Sequence, residues 1–491
     1  LFFILFFIGI TSLKPVAAQQ SYEFKASNLA KLLTNVGDSL INGFAGGLNN
    51  PQIFNLDIDG DGNIDLLAFD REGSRWLPFK RRLNRWKYVP EWIALFPSCS
   101  NWVDFADYNC DGIPDLFCST KGNVGVYTGN RTMGKIEFNW ALAGPYLYST
   151  YQSGQTPANL LVISSDRPVI KDVNGDGNVD ILTFGQQASA IEFHENIQPC
   201  GLQFVKSDAC WGDFLENNLS NSLTIDACTG SASPSQSFSD KLTHAGSTLL
   251  AADLTGNGLL DILLGDVSFS SAVAGFNIGS VSTANIESQD STWPINNIPV
   301  NMPVFPGFSF IDGNDDGLKD IIVAPNMPAG RSDTCVWAYT NSGTSSNPIW
   351  NLTDSSFLQS EMYDAGDYAI PELIDINSNG LLDLIVGTSY GIEFWKNIGS
   401  SNQPKWLKTS LPFSATAKTQ LTSNWCAPTC GDLNGDGLVD LIVGRDDGRL
   451  TYLQNSGNFL NPAFEGANTV SYTHLRAHET PEHLVCRLLL E

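Results

Sequence analysis

The residues best equipped for chemistry in this chain are acids and amides set two apart. Asp57, Asp59 and Asp61 are followed by Gly62 and then Asp65. The same nine-residue arrangement returns at Asp107, Asn109, Asp111 and Asp115, and at Asp172, Asn174, Asp176 and Asp180. It returns again at Asp253, Thr255, Asn257 and Asp261, and at Asp312, Asn314, Asp316 and Asp320. The last two copies are Asp375, Asn377, Asn379 and Asp383, then Asp432, Asn434, Asp436 and Asp440. Oxygen donors at positions one, three and five, a Gly-permitted sharp turn at six and Asp at nine make a cage for a hard cation, which Ca²⁺ fits best. A single copy would equally serve as a metal-free Asx turn. Seven copies with Asp at the ninth position each time go beyond turn chemistry, so the expected cofactor is Ca²⁺, up to seven ions. The first loop carries four carboxylates, the fourth and sixth only two each. Affinity follows ligand charge, so the first is expected to be the tightest and those two the weakest.

The residues after each loop set its structural type. A helical Ca²⁺ loop of the EF-hand kind needs a bidentate acid at position twelve. Here that position holds Ala68, Cys118, Thr183, Leu264, Val323, Val386 and Val443. Short apolar runs such as Ile321-Ile322-Val323-Ala324 and Leu441-Ile442-Val443-Gly444 read as buried strands, which places each cage in a β-hairpin turn. The loops recur every 50 to 81 residues, a spacing that suits a four-stranded blade, and a closed ring of blades protects its sheet edges. The expected fold is therefore all-β: a seven-bladed β-propeller over residues 19–469 with Ca-binding DxDxDGxxD hairpin loops, its two ends sharing a blade. A linear β-solenoid is the alternative, though its turns are usually shorter and more even.

A second element recurs downstream: Trp337 to Asn341 then Trp350, Glu393 to Asn397 then Trp406, Thr451 to Asn455 then Phe464. It reads as a strand, an Asn/Gly turn and an aromatic strand start. Its rings could form a sugar-stacking platform, but packing between blades is the preferred reading. The loops resemble those of FG-GAP/VCBS repeats, which build integrin-α-like seven-bladed propellers. Stretches such as Trp102 to Gly112, Cys210 to Phe214 and Leu264 to Phe269 also resemble secreted bacterial surface proteins made of these repeats. The resemblance spans residues 50–465. It implies fold and Ca²⁺ but no single function, because such blades serve adhesion, lectins and enzyme scaffolds alike.

The formal charge is −25, with 52 acidic and 27 basic residues. Much of the acidity lies in the cages, and it argues against nucleic acid or an anionic membrane surface as partner. Residues 1–18 read as a signal peptide lacking its start, with Val16-Ala17-Ala18 as the small-residue site; the apolar run 1–10 is too short to span a membrane. From 470 to 491 the repeat pattern stops, and the His-rich string resembles translated sequencing adapter more than a metal-binding tail. Related surface proteins often end in a C-terminal sorting domain. Ten Cys include one in that tail. Disulfides suit an exported chain, but their pairing is open, and no paired C-x₂-C spacing suggests zinc.

For catalysis only His194 and His244 stand outside the tail. His194 lies in a strand pattern, and His244 has no nucleophile elbow around it. The expectation is a non-enzymatic, secreted, Ca²⁺-binding propeller that engages a glycan or protein at the cell surface, monomeric and without a membrane span. The alternative is a Ca²⁺-dependent polysaccharide lyase or hydrolase on the same scaffold.

Overall fold

The computed structural model describes residues 30–471, apart from 84, 186–188, 218, 229–245, 329–333, 367, 412, 415–416, 418–420 and 422–424. The proposed signal peptide, His244 and residues 472–491 lie outside the described residues. Among the described residues, seven antiparallel units of four consecutive strands, five standing as separate sheets and two lying within six-stranded sheets, account for most of the chain. Blade 1 comprises Pro51–Leu56, Asp65–Asp70, Arg75–Arg82 and Arg85–Tyr88. Blade 2 starts with Ser100–Ala106, blade 3 with Val169–Lys171, blade 4 with Ser247–Ala252 and blade 5 with Pro306–Ile311. Blade 6 starts with Ile370–Ile374, and blade 7 with Cys426–Gly431. Each nine-residue loop joins the first strand of its blade to the second. The second strands, Asp65–Asp70, Asp261–Asp266, Asp320–Pro325 and Asp383–Thr388, are buried along their whole length. They carry apolar residues on both faces because each sheet packs between two neighbours.

The blades do not form one ring of seven. Blades 1 to 5 close on themselves, and blades 6 and 7 form a separate pair. Apolar cores are shared between blades 1 and 2, 2 and 3, 3 and 4, 4 and 5, and then 5 and 1, where Ile53, Leu66 and Phe79 pack with Ile311, Ile322 and Ala338. Another core belongs to blades 6 and 7, around Ile385, Phe394, Leu441 and Phe464. Polar contacts repeat the pattern. The Trp350 indole N–H of blade 5 donates to the Leu254 carbonyl in the loop of blade 4, at 3.1 Å. The Trp86 indole of blade 1 makes the same bond to Gly313 in the loop of blade 5, at 2.9 Å. Asn55 and Asp312 exchange hydrogen bonds across that closing seam.

The fourth loop residue tells the same story, since it meets the third-to-fourth-strand turn of the next blade. A Cβ on Gly60 would lie 2.1 Å from the Gly134 carbonyl of blade 2, and one on Gly256 2.4 Å from Ser346 of blade 5. Cys110 is disulfide-bonded to Cys200 of blade 3. Asp315 of blade 5 lies 3.9 Å from Arg81 of blade 1. Among the described residues nothing lies within 4 Å of a would-be Cβ on Gly435 of blade 7, so no described turn meets that loop.

The N-terminal segment does not complete a shared blade. Lys31–Leu33 pairs in parallel with Lys405–Thr409, the outer strand of blade 6, and Ser39–Leu40 extends the sheet to six strands. Blade 7 is complete in itself, and the backbone of its last strand, Phe464–Ser471, runs two residues past 469. Blade 3 is likewise extended, and a hairpin of Phe214–Asn217 and Ser222–Ile225, stapled by Cys210–Cys228, stands before blade 4.

Candidate metal loops

The first and ninth residues of each loop do the structural work. Asp172 accepts the Gly175 N–H through one oxygen (2.7 Å) and the Gly177 N–H through the other (3.0 Å). The Asp57, Asp253, Asp312 and Asp432 carboxylates accept the same pair in their own loops. Asp107 and Asp375 keep the bond to the Gly at position six. The fifth residue folds the exit, as Asp176 accepts the Asn178 N–H. Position four as well as position six is left-handed: φ is +80° at Gly175 and +87° at Gly177, and Cys110, Asp315 and Ser378 hold the fourth position in the same region. The spacing pointed only to the Gly at six.

The ninth-position acids are buried keystones. Asp180 accepts the Val173 N–H with one oxygen and the Asn196 N–H of the third strand with the other, at 3.1 and 2.8 Å. Asp261, Asp320, Asp383 and Asp440 bind Asn277, Asn341, Asn397 and Asn455 in the same way. Those Asn side chains organise the following turn: Asn277 Oδ1 accepts from Gly279 and Asn285, both at 2.9 Å. This Asn is a site residue that the loop pattern did not flag, although it stands in the recurring strand-Asn-turn element. Burial pushes the Asp115 and Asp180 carboxyls up to about 6.

The seven sets fit a dication unequally. Carboxylate oxygens of Asp172, Asp176 and Asp180 lie within 4.8 Å of one another, as do those of Asp57, Asp59 and Asp61. Like charges held together by backbone geometry are what a hard cation neutralises. In the third loop Glu195 adds a fourth acid, 3.5 Å from the Asn174 amide. In the first loop the neutralising charge is already present. Lys80 Nζ contacts Asp59 and lies 2.7 Å from Asp61 Oδ2, and Arg131 lies 3.1 Å from Asp57. The hydrogen bond from Lys80 holds the Asp61 carboxyl at about 2. Blade 1 also lacks the Asn keystone partner. Asp65 Oδ1 has no hydrogen bond, and burial pushes Asp65 up to about 7. In this loop, then, a cation would have to compete with Lys80 and Arg131 for the carboxylates. In the second, fifth and seventh loops position three is Asn and position five is Asp, whereas the fourth has Thr255 and Asn257 there and the sixth Asn377 and Asn379.

The recurring aromatics are packed. Trp350 and Trp395 lie in inter-strand cores and Trp406 bonds the Leu382 carbonyl. His194 is fully buried, its Nδ1 2.8 Å from Ser149 Oγ and its Nε2 3.4 Å from Glu192. Among the described residues no helix is long and apolar enough to cross a membrane.

Four-stranded antiparallel blades, each with such a loop between its first and second strands, define the β-propeller class. The FG-GAP-like repeat family matches residues 57–118 and 375–443, one region in the ring and one in the pair. These two regions are FG-GAP-like repeats. No curated protein sequence matches it. Among solved structures it is similar to an Agrocybe aegerita lectin that recognises non-reducing terminal N-acetylglucosamine, at 16% identity over 88% of this chain and 92% of that one, with a TM-score of 0.26. It is also similar to the Pseudomonas aeruginosa periplasmic gluconolactonase PpgL, at 9% identity over 86% and 99%, with a TM-score of 0.27.

Proposed function

We propose that this protein is an extracellular, Ca²⁺-stabilised propeller that serves as a binding module for a glycan or protein at the cell surface. The observation that carries the reading is the set of converging oxygens at Asp172, Asp176 and Asp180, in a loop design repeated in every blade. In this reading Asp172, Asn174, Asp176 and Asp180 hold the ion in blade 3, and their counterparts do so elsewhere. Bound Ca²⁺ supplies positive charge that lets the acids crowd together and stiffens the hairpins. The disulfides Cys110–Cys200 and Cys210–Cys228 support an oxidising compartment. The test is direct. Equilibrium dialysis against Ca²⁺ measures ions bound per chain, and a glycan array probed with and without Ca²⁺ reads binding. Several ions per chain with Ca²⁺-dependent retention of a glycan is the expected result. A chain that binds no Ca²⁺ and melts identically in EDTA defeats the proposal.

A further inference from the structure

The five-blade closure encloses an axial space. The first strands of blades 1 to 5 surround one axial cavity of about 270 Å³. Its wall is mixed, with Phe308 and Phe310 beside polar groups. Its charges run against the rest of the molecule. The chain carries 52 acids to 27 bases, yet Arg167, Lys171 and Lys319 line this cavity with Asp104 as the lining acid.

Among the described residues neither Arg167 nor Lys171 forms a salt bridge, although Asp104 acts electrostatically on both and Asp172 on Lys171. Arg167 is 8% exposed. Its guanidinium makes one long hydrogen bond, 3.3 Å to Ser309 Oγ, and among the described residues no carboxylate lies within ion-pair distance of it. Lys171 Nζ donates to the Ala251 carbonyl at 3.3 Å. Asp104 is occupied locally, accepting the Phe105 N–H at 2.8 Å. Arg71 stands close enough to repel Arg167, with Asp166 acting against that repulsion. Burial lowers the Arg167 guanidinium to about 10, with Asp104 opposing the shift. A buried guanidinium with spare donors is costly unless an acceptor fills them, and its planar fork suits a carboxylate or another oxyanion.

We propose that the axial cavity of the five-bladed ring is a binding site for a compact oxyanion on a small polar ligand, such as a carboxylate-bearing sugar, with Arg167 as the anchoring residue and Lys171 as the second cationic contact. The cavity is the size of one sugar residue or a free oxyanion with its water. Phe310, half-buried beside the core of blades 4 and 5, offers apolar wall to a sugar ring. Arg167, just before the strand Val169–Lys171, and Lys171 at its end lie outside the nine-residue loops, so their contacts can be tested separately from the calcium reading.

The test titrates the full chain, kept in Ca²⁺, with glucuronate, inorganic phosphate and glucose, followed by calorimetry. Glucuronate binding with glucose silent is expected. Phosphate competing with glucuronate would show that the oxyanion alone is recognised, whereas glucuronate binding without phosphate binding would show that the sugar ring is read as well. Arg167→Gln should weaken glucuronate by about tenfold or more, and Lys171→Met by several-fold, as for charged hydrogen bonds lost from a buried site. Lys171→Met keeps the test open should Arg167→Gln fail to fold. No response to either anion at 10-millimolar-scale concentration (roughly the weakest useful affinity), equal response to glucose, or full binding by both variants would overturn the proposal.

Discussion

The five-bladed ring and the two-bladed pair are built from the same repeat, yet they treat their inner edges differently. In the ring, the first strands of blades 1 and 5 are buried in all but one residue each and find a neighbour on both sides. In the pair, the first strand of blade 6 alternates between half-buried and exposed, and Leu373 is 49% exposed. Trp86 reaches back to the preceding blade, whereas Trp406, at the matching place in blade 6, bonds a carbonyl of its own blade. The repeat specifies a blade and its loop, and the residues along the first strand decide whether another blade stacks on it. Pro371 and Pro428 fall inside the first strands of blades 6 and 7. Proline in a strand interior belongs to an edge.

Metal removal should divide the two regions most. Extracellular Ca²⁺ sites of about 0.1–1 mM dissociation constant contribute roughly 0.6–1.8 kcal/mol each at about 2 mM Ca²⁺. Four responsive loops in the ring would contribute roughly 2–7 kcal/mol, and two in the pair about half that. Calorimetry in EDTA should therefore lower a ring transition further than a pair transition. A single transition that shifts as one would mean that the two units unfold together.

Next in size is the closing seam. Trp86→Ala removes a buried ring and the bond to Gly313, at a cost of about 3–5 kcal/mol. The ring transition should fall while the pair transition stays. Equal loss in both would break the division into two units.

The keystones come third. Asp261→Asn in the ring and Asp440→Asn in the pair each turn an acceptor oxygen toward a backbone N–H into a donor. Each should cost about 1–3 kcal/mol, seen as a lower denaturant midpoint in its own unit. Lys80→Met is the smallest in stability, with an exposed-side ion pair worth about 0–1 kcal/mol. It should nonetheless raise the Ca²⁺ bound per chain by one. An unchanged count would show that Lys80 does not compete for the first cage.

Much of this was legible beforehand. The loops, their placement in hairpins and the strand after each were readable because turn chemistry and apolar runs are local. Ring size was not, because spacing is set within each blade, and neighbour choice depends on long-range contacts such as Ile53 against Ile311. Lys80 escaped notice because it lies 15 residues beyond Asp65 and only strand pairing returns it to the loop. The Cys110–Cys200 bond was equally hidden, since its ends meet only when the loop of blade 2 touches the turn of blade 3.

The strand Lys31–Leu33 has a consequence for synthesis. It leaves the ribosome before blades 1 to 7, and its partner Lys405–Thr409 is made more than 370 residues later. All five blades of the ring are already translated when that partner appears, so the ring can close while the leading strand is still waiting. During that interval the strand is an unpaired edge, open to capture by a neighbouring chain. Its final docking is a late, slow event of high sequence separation, which makes this strand, translated ahead of the blades, one of the last elements to be fixed in place.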